Sequence, residues 1–313
     1  MTSRREHGIV LEGTGGVWRV RMDDGETIDA SLRGRLKRES AAGDEPPLKL
    51  AVGDRVVVEH DDRARAWAIA DIEPRRSQLG RRAPGGKRGE RVLAANIDQV
   101  VLVFAIANPE PHVGMLDRFL AIAEANELPA RIVLNKVDLA GEKTARERFG
   151  FYSHIGYPLH LTSVKERLGL EELRTELVGR ASVLTGPSGV GKSSLLNVLY
   201  PGLALRIGEI SEAVNKGRHT TVGGYLHPIP DGGYVVDTPG LREVGLWGVP
   251  ATALEHCMPE FRPFLGECRF GDCAHRAEPD CAVRDAVERG EILRSRYASY
   301  LKLREELEAS ERV

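Results

Sequence analysis

The chain has 313 residues, of which 42% are hydrophobic and 29% charged, and its formal net charge is −2. That length exceeds one small core and predicts two or three domains of ordinary globular composition. A near-neutral balance excludes a global attraction to nucleic acid, so any RNA contact must come from local patches.

Residues 8–72 carry five short apolar-alternating runs, at His7–Leu11, Val17–Met22, Thr27–Leu32, Asp54–Glu59 and Trp67–Ile72. Turn signals at Gly15-Gly16, Asp23-Asp24-Gly25 and Asp61-Asp62 separate several of them. Five strands in so short a span predict a small barrel, best matched by an OB-fold, with another small β-barrel as the alternative. Residues 74–91 follow, rich in Gly, Pro and Arg. Here Arg75, Arg76, Arg81, Arg82, Lys87, Arg88 and Arg91 are offset only by Glu90, a net charge of +6. This stretch reads either as solvated chain or as an arm that tracks phosphates.

From about residue 96 strands and helices alternate, as in a mostly parallel sheet. Strands are expected at Gln99–Ile106, Ala130–Leu134, Pro158–Leu161, Ala181–Leu184 and Tyr234–Val236. Helices are expected at Met115–Asn126, near 142–149, around Leu170–Val178 and at Lys192–Leu199. The longest apolar run, Val100–Ala107, has the length of a buried strand and is far short of a membrane span. The first residues, Met1-Thr-Ser-Arg-Arg-Glu-His, have no signal-peptide apolar region, so a cytoplasmic location without a membrane partner is expected.

Two motifs dominate this region. Gly186-Pro187-Ser188-Gly189-Val190-Gly191-Lys192-Ser193, continued by Ser194, is a complete phosphate-binding loop between a strand and a helix. Its backbone N–H groups cradle phosphates, Lys192 reaches the β and γ oxygens, and Ser193 offers a hydroxyl to Mg²⁺. Asn135-Lys136-Val137-Asp138 has the N-K-x-D pattern, in which the aspartate accepts hydrogen bonds from guanine N1–H and the exocyclic amine. Adenine lacks that donor pair, so Asp138 disfavours an ATP-using kinase. Thr162-Ser163, after a strand, would support the base. Asp237-Thr238-Pro239-Gly240 matches D-x-x-G, with Asp237 holding Mg²⁺ through a water and Gly240 sensing the γ-phosphate. In the polar segment Val214–Val222, Thr220 or Thr221 would be a switch ligand to Mg²⁺, with Thr221 favoured.

The order is therefore guanine reader, phosphate loop, switch and D-x-x-G, an ordinary GTPase order cut and rejoined. Such a permutation can keep the same contacts because termini tend to lie close together. It also runs the γ-phosphate sensor directly into the last domain, so nucleotide state is expected to pass through Leu241–Pro250. Leu241 stands where Ras-like enzymes place a water-orienting glutamine. Unaided turnover should then be slow, and His219 is the best internal candidate for the water, its alternative being an ordinary loop histidine.

Cys257, Cys268, Cys273 and Cys281 fall within 25 residues. Clustering of this kind points to a metal rather than disulfides. Cys268, Cys273, His275 and Cys281 offer three thiolates and one imidazole, a closed tetrahedral set for structural zinc. A set using Cys257 in place of His275 is the alternative. A helix-rich tail is expected over Ala282–Ala309.

In these motifs, taken in order, the chain resembles the RsgA family of circularly permuted small ribosomal subunit biogenesis GTPases. The matching residues include Ala95-Asn96-Ile97-Asp98-Gln99, Asn135–Asp138, Gly186–Ser194, Gly217-Arg218-His219-Thr220-Thr221, Asp237–Gly240 and the Cys268/Cys273/His275/Cys281 knuckle. The resemblance implies a multidomain α/β chain. It comprises an OB-type barrel (1–73), a basic linker (74–94), a permuted P-loop GTPase domain (95–247) and a zinc-binding domain with a C-terminal helix (248–313). It further implies a monomeric GTP hydrolase that binds the small ribosomal subunit and its rRNA, weak alone and stimulated by the subunit, with His219 acting in hydrolysis. An RNA-binding assembly protein with GTP as a structural ligand is the second reading, and a permuted GTPase of the large subunit the third.

Overall fold

In the computed structural model, residues 5–34, 50–62, 65–82, 90–203, 224–237 and 249–311 are described. The first five strands, β1 (Arg5–Thr14), β2 (Val17–Met22), β3 (Thr27–Leu32), β4 (Arg55–Asp61) and β5 (Ala66–Ile72), close into a barrel in the order β1-β2-β3-β5-β4. Alternation along these strands sends Val10, Val20, Ile28, Val56, Val58 and Ile69 inward to form its core. The expected five-stranded barrel is thus present, with each strand within a few residues of its expected bounds.

The described residues of the basic stretch include strands that its composition did not suggest. β6 (Gln78–Arg82) and β7 (Glu90–Ala95) pair antiparallel as a two-stranded sheet. Its approach to the barrel is fixed by Arg75, whose Nε and Nη2 donate to the buried Asp54 carboxylate at 2.7 and 2.9 Å. Asn96 Nδ2 donates to Gly53 O at 2.9 Å, and Ala95 N to Val52 O at 2.8 Å. Part of the positive charge is therefore used internally.

The central sheet runs β10 (Leu159–Leu161), β9 (Ala130–Asn135), β8 (Gln99–Ala105), β11 (Ala181–Thr185), β13 (Tyr234–Asp237) and β12 (Tyr225–Pro228). All neighbours are parallel except β12, which pairs antiparallel with β13 at the edge and packs against β1 of the barrel. β8 is buried at every position because both faces are covered. Val101 and Val103 meet α3 (Leu170–Leu177) and α4 (Lys192–Leu199). Leu102 and Phe104 meet α1 (Val113–Ala125) and α2 (Glu142–His154).

The C-terminal region opens with two 3-10 segments, Ala251–Cys257 and Pro259–Phe264, and ends in α5 (Ala282–Glu288) and α6 (Arg294–Glu311). Leu254, Met258, Phe261, Tyr300, Leu303 and Leu307 join the same apolar cluster as α1, so the region is fused to the sheet rather than tethered. The expected helix-rich tail is these two helices, the first ending at Gly290. Its φ of 78° caps α5, with Gly290 N bonded to Val287 O and Glu291 N to Ala286 O. Glycine adopts that left-handed turn without the strain a side chain would bring, and the two bonds satisfy carbonyls the helix end leaves open.

Candidate nucleotide and metal sites

The guanine reader and the phosphate loop leave adjacent regions of one sheet edge. β9 ends at Asn135, β11 ends at Thr185, and β8 lies between them. Asn135 Nδ2 donates to Val190 O inside the phosphate loop at 2.9 Å, and Thr162 Oγ1 donates to Asn135 Oδ1 at 3.2 Å. Lys136, held in a left-handed conformation at φ 61°, sends Nζ to Gly189 O at 2.7 Å and to Asn108 O. The two motifs are 55 residues apart in the Asn135–Val190 bond and are locked by side chains of one onto carbonyls of the other.

Asp138 lies in a short 3-10 turn, Val137–Leu139. Ser163 Oγ donates to Asp138 Oδ1 at 2.6 Å and in turn accepts from Glu166 N at 3.0 Å. Val137 N donates to Thr162 O at 3.1 Å, which ties the aspartate turn to the expected Thr162-Ser163 support. The hydroxyl thus orients one carboxylate oxygen, and an ionised carboxylate has lone pairs left over to accept further donors.

The phosphate loop depends on glycine at two places. At Gly186 (φ 146°) a Cβ would lie 1.9 Å from Val103 O, so only glycine lets the loop leave β11 against β8. At Gly191 (φ 95°) a Cβ would lie 2.5 Å from Asn135 Nδ2, in the space the asparagine uses to reach Val190. α4 starts immediately after, at Lys192, so its unpaired N–H groups and dipole face the loop. Lys192 Nζ donates to Gly186 O and Pro187 O at 2.8 and 2.7 Å, curling over the cradle formed with Ser188, Gly189 and Val190. Ser193 and Ser194 occupy the first turn of that helix.

Asp237 ends β13 one residue beyond the Val183↔Val236 pair, which brings its backbone to the same edge as the loop. His219, Thr220, Thr221, Gly240 and Leu241 lie outside the described residues. Asn108 was not anticipated as part of this site. Its carbonyl bridge to Lys136 comes from the turn after β8, and no local pattern marks it.

Cys268, Cys273, His275 and Cys281 form the metal-type cluster, their ligand atoms all within 4.8 Å of one another. Cys268 Sγ and Cys281 Sγ are 3.8 Å apart, and His275 Nδ1 is 3.3 Å from Cys281 Sγ and 3.6 Å from Cys268 Sγ. Tetrahedral zinc with ordinary bond lengths requires about 3.8 Å between sulfurs and about 3.6 Å from sulfur to nitrogen. The donor set therefore fits. Burial pushes the Cys273 and Cys281 thiols up, and Cys268 adds to both, which is the condition a divalent cation relieves. Cys257 stands apart, bonded to Ala253 O within its own segment, and burial pushes its thiol up to about 11. The alternative set that used it does not form.

Comparison with known proteins gives the same picture. The family model described as RsgA GTPase matches residues 72–247. The chain belongs to the RsgA GTPase family. It is 58% identical over 301 residues to the small ribosomal subunit biogenesis GTPase RsgA of Gemmatimonas aurantiaca, covering 96% of this chain and 97% of that protein. It is 40% identical over 309 residues to the protein of the same name from Thermotoga petrophila, covering 97% and 98%. Among solved structures, YjeQ from Thermotoga maritima superposes with a TM-score of 0.79 at 37% identity, covering 97% of this chain and 99% of that one. YloQ, described as a circularly permuted GTPase, superposes with a TM-score of 0.73 at 30% identity, covering 98% and 96%. As an RsgA-family member the chain is a GTP hydrolase with the permuted order read from its motifs. Among the described residues no helix is long and apolar enough to cross a membrane.

Proposed function

We propose that this chain binds the small ribosomal subunit and hydrolyses GTP there as a late step of its assembly, with turnover stimulated by the subunit. The observation that supports the catalytic half is the Asn135–Val190 bond, which joins the N-K-x-D segment to the phosphate loop despite their swapped order. The ribosomal half is supported by the relatives, whose names place them in small subunit biogenesis. GTP would be held by Asn135, Lys136, Val137, Asp138, Thr162, Ser163, the loop Gly186–Ser194 and Gly240. Ser193, Thr221 and Asp237 would hold Mg²⁺, which neutralises charge on the β and γ oxygens. His219 would orient water. The Cys268/Cys273/His275/Cys281 cluster is read as structural zinc, and the barrel and zinc domain as the RNA-facing surfaces. We place the domain bounds at 1–73, 74–94, 95–247 and 248–313, and the working form as a cytoplasmic monomer. Relay of the nucleotide state through Leu241–Pro250 belongs to the same reading.

Hydrolysis of GTP titrated separately with purified small and large subunits tests this. Stimulation by orders of magnitude with small subunits alone is expected. Equal turnover with and without them would favour GTP as a structural ligand instead.

A further inference from the structure

The imidazole of His275 meets different partners at its two nitrogens. Nδ1 faces Cys281 and Cys268 Sγ, while Nε2 lies 3.1 Å from Glu255 Oε2. The ring has little room to turn. Its side chain is 3% exposed, Phe261 stands edge-on to it and Tyr300 is tilted against it, each with centroids 6.1 Å away. Its backbone is pinned too, because Tyr297 Oη–H donates to His275 O at 2.6 Å and Tyr300 Oη–H to Ala274 O at 3.1 Å. Glu255 itself sits in the Ala251–Cys257 segment, which packs on both α1 and α6.

We propose that Glu255 is the positioning residue of the metal site. Its carboxylate accepts the Nε2–H and so selects the tautomer whose Nδ1 lone pair is aimed between the sulfurs. A carboxylate behind a ligand histidine also raises the basicity of the ligating nitrogen and stiffens the ring. The role rests on the zinc reading of the cluster. It also gives the metal a structural tie to the segment that follows the γ-phosphate sensor in the chain, since Glu255 is fixed to the central helices before the first ligand, Cys268, is reached.

The test uses the full-length protein, stripped of metal under reducing conditions, then titrated with Co²⁺ and with Zn²⁺ against a chromophoric chelator. Glu255→Ala should weaken metal affinity by about 10–100-fold and shift the cobalt d–d bands, the range expected for loss of an outer partner of a ligand histidine. Glu255→Leu, which keeps bulk without an acceptor, should show the same loss even if Glu255→Ala folds poorly. Glu255→Gln, whose amide oxygen still accepts the Nε2–H, should restore most of the affinity. In a His275→Cys background there is no imidazole to orient, so the loss on removing Glu255 should vanish or reverse sign. Affinity for both acceptor-free variants within about twofold of wild type, well below the expected range, would overturn the role. An undiminished loss in the His275→Cys background would overturn it as well, since the effect would then be purely structural. Wild-type protein with no thiolate-to-cobalt absorption would instead overturn the metal assignment itself.

Discussion

The guanidinium of Arg296 in α6 and the carboxylate of Asp117 in α1 form an ion pair at 2.8 Å, with side chains 1% and 0% exposed. Arg296 also grips Glu260 through Nε at 2.6 Å and Nη2 at 3.1 Å. Tyr152 Oη–H and Ser299 Oγ–H donate to the two Asp117 oxygens. Burial alone would lower the affinity of the guanidinium for its proton, but the two carboxylates reverse this and hold it above its ordinary value. One arginine thereby bridges a carboxylate of the GTPase helix to one of the C-terminal region.

Arg296→Ala should therefore strand two buried carboxylates and destabilise the chain by about 3–5 kcal/mol, as breaking a buried pair from one side does. Urea denaturation followed by far-ultraviolet circular dichroism measures this. Replacing Asp117, Glu260 and Arg296 together with apolar residues of similar size should cost much less than the single change.

Asp138→Asn exchanges an acceptor oxygen for an amide donor while keeping the shape. GTP affinity should fall by about 10–100-fold, from loss of a charged hydrogen bond worth ~1.5–3 kcal/mol. Xanthosine triphosphate, which carries a carbonyl where guanine has the amine, should gain affinity for the variant. Competition against a fluorescent GDP analogue distinguishes the two outcomes.

Gly191→Ala should disable nucleotide binding through geometry alone. The added methyl meets Asn135 Nδ2 at 2.5 Å and the backbone sits at φ 95°. A side chain held there costs about 1–3 kcal/mol in backbone strain. The expected result is loss of measurable GTP binding by calorimetry, while the metal site keeps its cobalt spectrum.

His227 of β12 is half-buried against Tyr225, their ring centroids 4.3 Å apart, and burial lowers its pKa from 6.5 to about 4. The unfolded chain then binds a proton that the folded chain does not between these values, so stability rises with pH across that window. Its contribution is complete above pH 6.5 and is lost as pH falls toward 4. His227→Phe should flatten this part of the stability profile, as measured by urea midpoints at stepped pH.

His219→Ala tests the water-orienting role. GTP affinity should be unchanged while subunit-stimulated kcat drops by about 10²–10⁴-fold, the range for loss of an acid–base group. An unaltered stimulated kcat would remove His219 from the reaction.

The phosphate loop, the guanine reader and the knuckle were legible because each is a local spacing whose chemistry depends on few neighbours. The five barrel strands were legible through period-two alternation. What escaped was set by distant partners. β12 is four residues long and owes its existence to pairing with β13. The β6–β7 pairing was hidden by a basic composition that reads as solvated chain. Arg296 and Asp117 look like surface charges in a helical pattern, and only the fold shows that they are buried against one another, as only the fold shows Glu255 facing His275.

The Arg296–Asp117 pair spans 179 residues of sequence. At ribosomal elongation rates of about 5–20 residues per second, Asp117 is made roughly 9–36 s before its counter-ion exists. Throughout that interval the nascent GTPase sheet has to carry an acid with no arginine to meet it. Final docking of α1 against its cover therefore waits for the closing stretch of translation, and a message cut short before codon 296 should yield a product that chaperones hold rather than one that works.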